Sequence, residues 1–248
     1  MKIGFLITAR LKSTRLPEKL ILKIYGREMI RHMIDRLKLS EALDQIIICT
    51  SPNPQDKPLV NIANEEGIKY FLGDEDDVIQ RLSDAAEFFK LDFAINISAD
   101  NPLVSIKYIE RIREEFENTN ADHIRCMDLP IGLFSYGLKP AALKEVCKIK
   151  KSKQTEVWGR YFTETGLFEV RDLVVDDNHK RNYRMTLDYP EDFELFEAIF
   201  SHFGEETYKT NIDDILQFLD ENPDIAAINM DCQKKYEERL SKQRELAK

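Results

Sequence analysis

The chain has 248 residues, 43% of them hydrophobic and 33% charged, and carries a net charge of −9 at pH 7. That balance suits a soluble globular chain of one large domain and argues against a general nucleic-acid binder. No apolar run approaches the roughly 20 residues of a membrane helix. The N-terminus enters an apolar stretch without a signal-peptide pattern. Cys49, Cys126, Cys147 and Cys232 form no C-x-x-C pair, so a reducing, cytoplasmic setting is expected.

In chain order, Ile3 to Ile7 reads as a buried strand. A polar stretch follows with Arg10, Lys12, Ser13, Thr14, Arg15 and Lys19, and Pro17 opposes a regular helix through it. After a turn at Gly26, apolar residues at helical spacing predict an amphipathic helix over 28–39. Gln45 to Thr50 reads as a second buried strand, followed by a proline-rich loop and a helix about 59–66 that stops at Gly67. Lys69 to Leu72 is expected as a short strand, Asp76 to Lys90 as a helix and Phe93 to Ile97 as a fourth strand. A helix over 105–118 and a strand over 122–127 come next. This alternation implies a mainly parallel sheet with right-handed crossovers. From about 128 to 180 the rhythm changes: Pro130 to Gly137 is loop-like, short helices are expected over 141–147 and 155–161, and Leu167 to Val175 reads as an antiparallel strand. Arg184 to Leu187 is expected to return to the sheet, ahead of helices over 190–202 and 212–219. The organisation expected is one domain over 1–230 with an irregular insert, then a solvated, charged helix or tail over 231–248.

Four cations and two hydroxyls just past the first strand occupy the place where open α/β sheets bind ligands, and in an acidic chain they suit a polyanion such as a triphosphate. The stretch ITARLKSTRLPEK closely resembles the N-terminal signature of the sugar cytidylyltransferases, A-R-x-x-S-x-R-L-P-x-K, at Ala9, Arg10, Ser13, Arg15, Leu16, Pro17 and Lys19. That family includes the 3-deoxy-manno-octulosonate, acylneuraminate and spore-coat polysaccharide enzymes. GDEDDVIQRL from Gly73 is similar to a spore-coat segment lying against the nucleotide, which nominates Gly73 and Arg81; as local chemistry, the same carboxylates suit a helix N-terminus. In NISADNPLV, Asp100 follows a buried strand; turn chemistry also accounts for Asp-Asn-Pro, and Ala99 stands where the family pattern has glycine. In RMTLDYPEDF, Asp188 ends a strand before Pro190 and could cap the helix that follows, while Glu191 and Asp192 suit its acidic first turn.

The resemblance implies a Rossmann-like three-layer α/β sandwich of the nucleotide-diphospho-sugar transferase type, with a mixed, mostly parallel sheet. It implies transfer of CMP from CTP to a sugar, with sugar acids favoured, for surface glycan biosynthesis. Ala9, Arg10, Ser13, Arg15, Lys19, Gly73 and Arg81 would meet the nucleotide, with Arg10 and Lys19 catalytic, and Asp100 and Asp188 would hold Mg²⁺. A homodimer through the insert is expected, because Trp158, Tyr161, Phe162 and Phe168 have no clear place in the main sheet. The rivals are a glycosyltransferase, which usually carries a D-x-D pair that is not evident here, and a non-catalytic nucleotide-binding module.

Overall fold

Alternate residues along each central strand face opposite layers, and that period of two generates the architecture. The computed structural model describes residues 1–155 and 157–246, with side chains described as far as 238. Strand β1 (Ile3–Thr8) turns Ile3, Phe5 and Ile7 to one apolar core and Leu6 to the other. A two-strand hairpin, β2 (Lys23–Ile24) and β3 (Arg27–Glu28), turns on Tyr25 and Gly26, both at positive φ (50° and 73°), the geometry of a tight hairpin that glycine adopts without strain. Helix α1 (Met29–Leu37) leads to β4 (Gln45–Thr50), α2 (Lys57–Glu65) to β5 (Lys69–Leu72), and α3 (Val78–Phe88) to β6 (Phe93–Ser98). Helix α4 (Ile106–Thr119), β7 (His123–Arg125), β8 (Tyr136–Leu138), α5 (Pro140–Ile149), α6 (Arg160–Thr163) and β9 (Val170–Asp172) follow. The chain closes with α7 (Pro190–Phe203), α8 (Ile212–Glu221), α9 (Pro223–Ala226) and α10 (Met230–Leu246).

The main sheet runs β5-β4-β1-β6-β8-β7-β9. The first four strands are parallel, β8 is antiparallel to both β6 and β7, and β9 is parallel to β7. One core lies under α1, α2, α4, α7 and α8, the other under α3, α5 and the Trp158–Phe162 segment. This is the expected three-layer α/β sandwich with a mixed, mostly parallel sheet.

The departures fall in the second half of the chain. Strand β8 was expected as loop, yet it inserts between β6 and β7. It passes there through Gly137, where a Cβ would sit 2.5 Å from the Phe93 ring. The strand expected over 167–175 is shorter, Val170–Asp172, and pairs parallel rather than antiparallel. Residues 184–187 do not form a strand; a single bridge joins Arg184 to Ile131. The helix expected over 155–161 begins only at Arg160. Trp158 and Phe162 are buried in the second core, with Tyr161 and Phe168 against it, so these aromatics do not make an exposed face for a second subunit. The C-terminal helix starts at Met230, and Cys232 on it is buried.

Candidate active site

The ends of β1 and β6 and the start of α7 meet at a cavity of about 700 Å³. Among the described residues, seven lysine and arginine side chains line it against two carboxylates, Asp100 and Asp188, in a chain whose net charge is −9. A cleft so lined concentrates anions.

The segment after β1 is held by carboxylates outside it. The Leu11 N–H donates to Asp56 Oδ1 (2.8 Å), and the Ser51 hydroxyl bonds the other oxygen of that buried group (2.6 Å). Arg10 Nη1 donates to the Glu75 carbonyl (2.5 Å) and approaches Asp76 (3.3 Å). Further on, Glu18 takes a left-handed conformation (φ 54°) immediately before a 3-10 turn, Lys19–Ile21. That costly geometry for a side-chain-bearing residue delivers Lys19 inward. Lys19 is 9% exposed rather than a solvated loop lysine.

Lys19 Nζ donates to Asp100 Oδ2 (2.5 Å) and to Asp188 Oδ1 (2.8 Å). The two aspartates, 88 positions apart in sequence, therefore lie no farther apart than those two bonds laid end to end. Burial works against the Lys19 ammonium, but the two carboxylates outweigh it and hold its pKa above the ordinary value. Burial likewise opposes ionised Asp188, and Lys19, Arg15 and Arg184 reverse that and lower its pKa. Arg15 Nη2 reaches Asp188 Oδ1 (2.5 Å), and Arg184 Nη2 reaches Oδ2 (2.9 Å). Asp100 Oδ1 accepts from Ser98 Oγ (2.5 Å) and Asn101 Nδ2 (2.9 Å), which fixes its rotamer toward Lys19.

Local helix chemistry leaves both aspartates free for this work. At α7 it is Asp192, not Asp188, that caps: its Oδ2 accepts from the backbone N–H of Asp188 (2.8 Å) and Tyr189 (2.9 Å). At α3 the cap is Asp77, which accepts from the Gln80 N–H (3.2 Å).

Of the residues expected at the nucleotide, Arg10, Ser13, Arg15, Lys19 and Arg81 line the cavity together with Asp100 and Asp188. Ala9 and Gly73 do not. Ala9 is buried, its N–H tied to the Cys49 carbonyl of β4 (3.1 Å). At Gly73 a Cβ would lie 2.8 Å from Arg81 Cγ, so this glycine makes room for the Arg81 side chain. Arg81 is fully buried and bonds the Asp74 and Glu75 carbonyls through Nη1, while burial lowers its pKa. Three cavity-lining residues carry buried polar atoms without a hydrogen-bond partner among the described residues: Arg15 Nη1, Arg81 Nε and Nη2, and His123 Nε2. The first two are donors awaiting acceptors. Among the described residues no cluster of three or more His, Cys, Asp or Glu side chains could hold a metal ion by itself.

A cytidylyltransferase family model matches residues 5–246. The chain belongs to the cytidylyltransferase family. It is 36% identical over 242 residues to an uncharacterized protein of Methanocaldococcus jannaschii, covering 96% of this chain and 99% of that one. It is 25% identical over 232 residues to the spore coat polysaccharide biosynthesis protein SpsF of Bacillus subtilis, covering 90% and 96%. Among solved structures, a cytidylyltransferase from Leptospira borgpetersenii superposes with a TM-score of 0.84 at 25% identity, covering 91% of this chain and 97% of that one. A CMP:2-keto-3-deoxy-manno-octonic acid synthetase complexed with CTP shares the fold at a TM-score of 0.62 and 15% identity, covering 82% and 100%. The protein is accordingly a nucleotidyltransferase.

Several residues of this cytidylyltransferase site were not foreseen. Arg184 is buried and clamps Asp188 and Asp192 at once, its Nε 3.0 Å from Asp192 Oδ1. Its spacing of four from Asp188 was a readable signal. The C-terminal helix also enters: Gln233 Oε1 accepts from Arg184 Nη1 (3.0 Å), and Tyr236 lines the cavity with its ring 5.8 Å from Arg15 Cζ and 5.6 Å from Arg184 Cζ. Nothing in the local sequence marked Tyr236. Gly132 (φ 94°) lets the loop after Asp128 pass against Met185, whose carbonyl oxygen would be 2.1 Å from any Cβ there. Beyond β8 the cavity wall is formed by His123, Tyr136, Trp158 and their neighbours.

Proposed function

We propose that the enzyme transfers CMP from CTP to a hydroxyl of a sugar, a sugar acid being favoured by the N-terminal signature, with release of pyrophosphate. The observation that carries this reading is the cluster in which one buried lysine joins Asp100, just past β6, and Asp188, just before α7, beside an arginine with an unpaired donor among the described residues. The acceptor oxygen attacks the α-phosphorus, the bond from that phosphorus to the bridging oxygen breaks, and pyrophosphate leaves. Such chemistry needs alignment and charge neutralisation more than a covalent nucleophile. Arg10, Ser13, Arg15 and Lys19 hold the β- and γ-phosphates. Arg81 offers Nε and Nη2 toward an acceptor edge, as cytosine presents in O2 and N3.

Asp100 and Asp188 are oxygen donors close enough for one ion, and a magnesium ion suits such a pair when phosphate oxygens and water complete its shell. With an ion held there, the Lys19 ammonium would be free to neutralise phosphate charge instead. A bound Mg²⁺ supplies neutralisation of phosphate charge. A relative in fold only, Rv0371c of Mycobacterium tuberculosis, has been solved as a complex with manganese (TM-score 0.55, 16% identity).

The product is a CMP-sugar for surface polysaccharide assembly, a role supported by the likeness to the spore-coat protein. Four free cysteines support a reducing cytoplasm; among the described residues no helix is long and apolar enough to cross a membrane. A homodimer would use the edge strand β9 and the residues flanking it, Leu167 and Val174, which are 62% and 82% exposed. Light scattering at micromolar concentration tests that assembly.

The test of function is pyrophosphate release from CTP, ATP, GTP and UTP against a panel of sugar acids and sugar phosphates. Turnover of CTP with one acceptor is expected. Equal thermal stabilisation by all four triphosphates, with no CTP turnover, would defeat the reading.

A further inference from the structure

The wall of the cavity farthest from the phosphate loop differs in chemistry from the rest. Strand β7 lies three strand positions from β1 in the sheet, about 14 Å at the usual strand spacing. His123, the first residue of β7, borders the cavity there. Its Nδ1 lies 3.0 Å from the Gly137 carbonyl, which can only accept, so the proton sits on Nδ1 and Nε2 carries a lone pair. Nε2 is buried and has no hydrogen-bond partner among the described residues. Burial also drives the ring's pKa down to about 4, which keeps it neutral at pH 7.

The surroundings say what would satisfy that lone pair. The His123 ring stands against Trp158 (centroids 5.7 Å) and Tyr136 (5.6 Å), and those two rings meet edge to face (5.3 Å, 73°). Flat apolar rings beside one acceptor suit the face of a sugar with a hydroxyl at its rim. The nearby cations do not call for an anion. Arg125 is already clasped by Asp172 through two bonds of 2.7 Å, and Arg160 pairs with Glu164 (3.1 Å). The triphosphate's oxygens cannot donate to Nε2, and the base, if it lies by Arg81, is on the other side of the sheet's centre.

We propose that His123 is a specificity residue for the acceptor: a sugar hydroxyl donates to its Nε2 while the ring of the sugar lies against Trp158 and Tyr136. This rests on the reading of the enzyme as a sugar cytidylyltransferase and narrows it, because the subsite then selects for a hydroxyl donor at this point whatever other groups the acceptor bears.

Trp158 is the only tryptophan in the chain, so its emission reports on this wall directly. The full-length protein is saturated with the α,β-methylene analogue of CTP and Mg²⁺, then titrated separately with 3-deoxy-manno-octulosonate, N-acetylneuraminate and glucose 1-phosphate. At least one sugar should change Trp158 emission saturably. His123→Phe should weaken that sugar roughly three- to tenfold, the worth of one hydrogen bond. His123→Gln, which keeps an acceptor oxygen, should stay within about twofold by the same measure. Binding of the CTP analogue, read separately by thermal shift, should be unchanged in both. If His123→Phe does not fold, His123→Met takes its place. Equal sugar affinity in the apolar variant and the wild type, or no emission change with any sugar, would overturn the subsite. Failure of the CTP analogue to bind would instead overturn the functional reading, and the subsite with it.

Discussion

The cavity has two halves that solve the problem of buried polar groups in opposite ways. Around Lys19 almost every charge is already answered by another: Asp188 alone receives Lys19, Arg15 and Arg184. Across the sheet, around His123, the walls are aromatic and the one buried imidazole nitrogen has no answer. The first half is organised by charge, and a triphosphate entering it must exchange ion pairs rather than fill an empty space. The second is organised by shape, and its ligand supplies a missing partner. Damage to the first half should fall on catalysis and on pH and salt dependence; damage to the second should fall on acceptor affinity.

The largest expected effect is at the two aspartates. Asp100→Asn and Asp188→Asn should each lower kcat by about 10² to 10³, the scale of losing one electrostatic contact made in the transition state. The double variant should lose little more than either single one, because both carboxylates act on one centre. Steady-state pyrophosphate release measures this; strict additivity would mean that the two act separately. Asp188 adds a pH signature. Its pKa in the folded state lies below its unfolded value near about 3.9, so its stabilising contribution is present above that pH. As pH falls through the folded value the contribution disappears. Asp188→Asn should therefore be less stable than wild type at pH 7 and show a flatter loss of melting temperature between about pH 5 and pH 2.

Lys19→Ala comes next and separates two roles of one residue. Triphosphate affinity should fall roughly ten- to a hundredfold, the worth of a charge-assisted contact to phosphate. Because Lys19 is buried between two carboxylates, the variant should also melt lower than wild type in the absence of divalent cation, from unpaired charge. Mg²⁺ should then stabilise the variant more than the wild type, since the vacated space lies between two oxygen donors. At a hundredfold excess over its Kd the ion would contribute about 2.7 kcal/mol, or roughly 5–10 °C for a chain of this size. Equal Mg²⁺ shifts in both proteins would show that the ammonium and the ion do not share a place.

How far the sequence carried follows the same division. The parallel strands were legible because each is a short apolar run set between helical repeats. The clustering of the charged half was legible because its charges are concentrated in one linear stretch, Arg10 to Lys19, and at Asp100 and Asp188. The local alternatives there also resolve physically: Asp188 could have been a helix cap, but Asp192 takes that work. The acceptor half was not legible, because it is assembled by topology. Strand β8 is three residues long and passes through a glycine, so it carries no alternating pattern. The aromatics around 158–168 look homeless in a linear reading, and only the second core shows where they pack. Gly73 matched a motif, yet its lack of a side chain serves the packing of Arg81.

The C-terminal helix gives the smallest effect and the finest test of the division between halves. A charged, weakly amphipathic segment reads as solvated, yet its first turns sit on the charge-organised half. There Gln233 bonds Arg184, and the Tyr236 ring stands 5.6 Å and 5.8 Å from the guanidinium carbons of Arg184 and Arg15. Neither contact touches an aspartate directly. Both act on the arginines that hold Asp188, so Tyr236 is a positioning residue. A cation–π contact at a partly exposed site is worth about 0.5–1 kcal/mol, and because these two act on CTP only through Arg15 and Arg184, Tyr236→Leu should raise the KM for CTP by about the worth of one contact, two- to fivefold. Tyr236→Phe keeps the ring face and should recover most of that loss. Since the ring faces the two arginines, acceptor KM should move less than the KM for CTP in Tyr236→Leu. A rise in acceptor KM matching that for CTP would mean that α10 braces the whole cavity, and that the two halves are not mechanically separate.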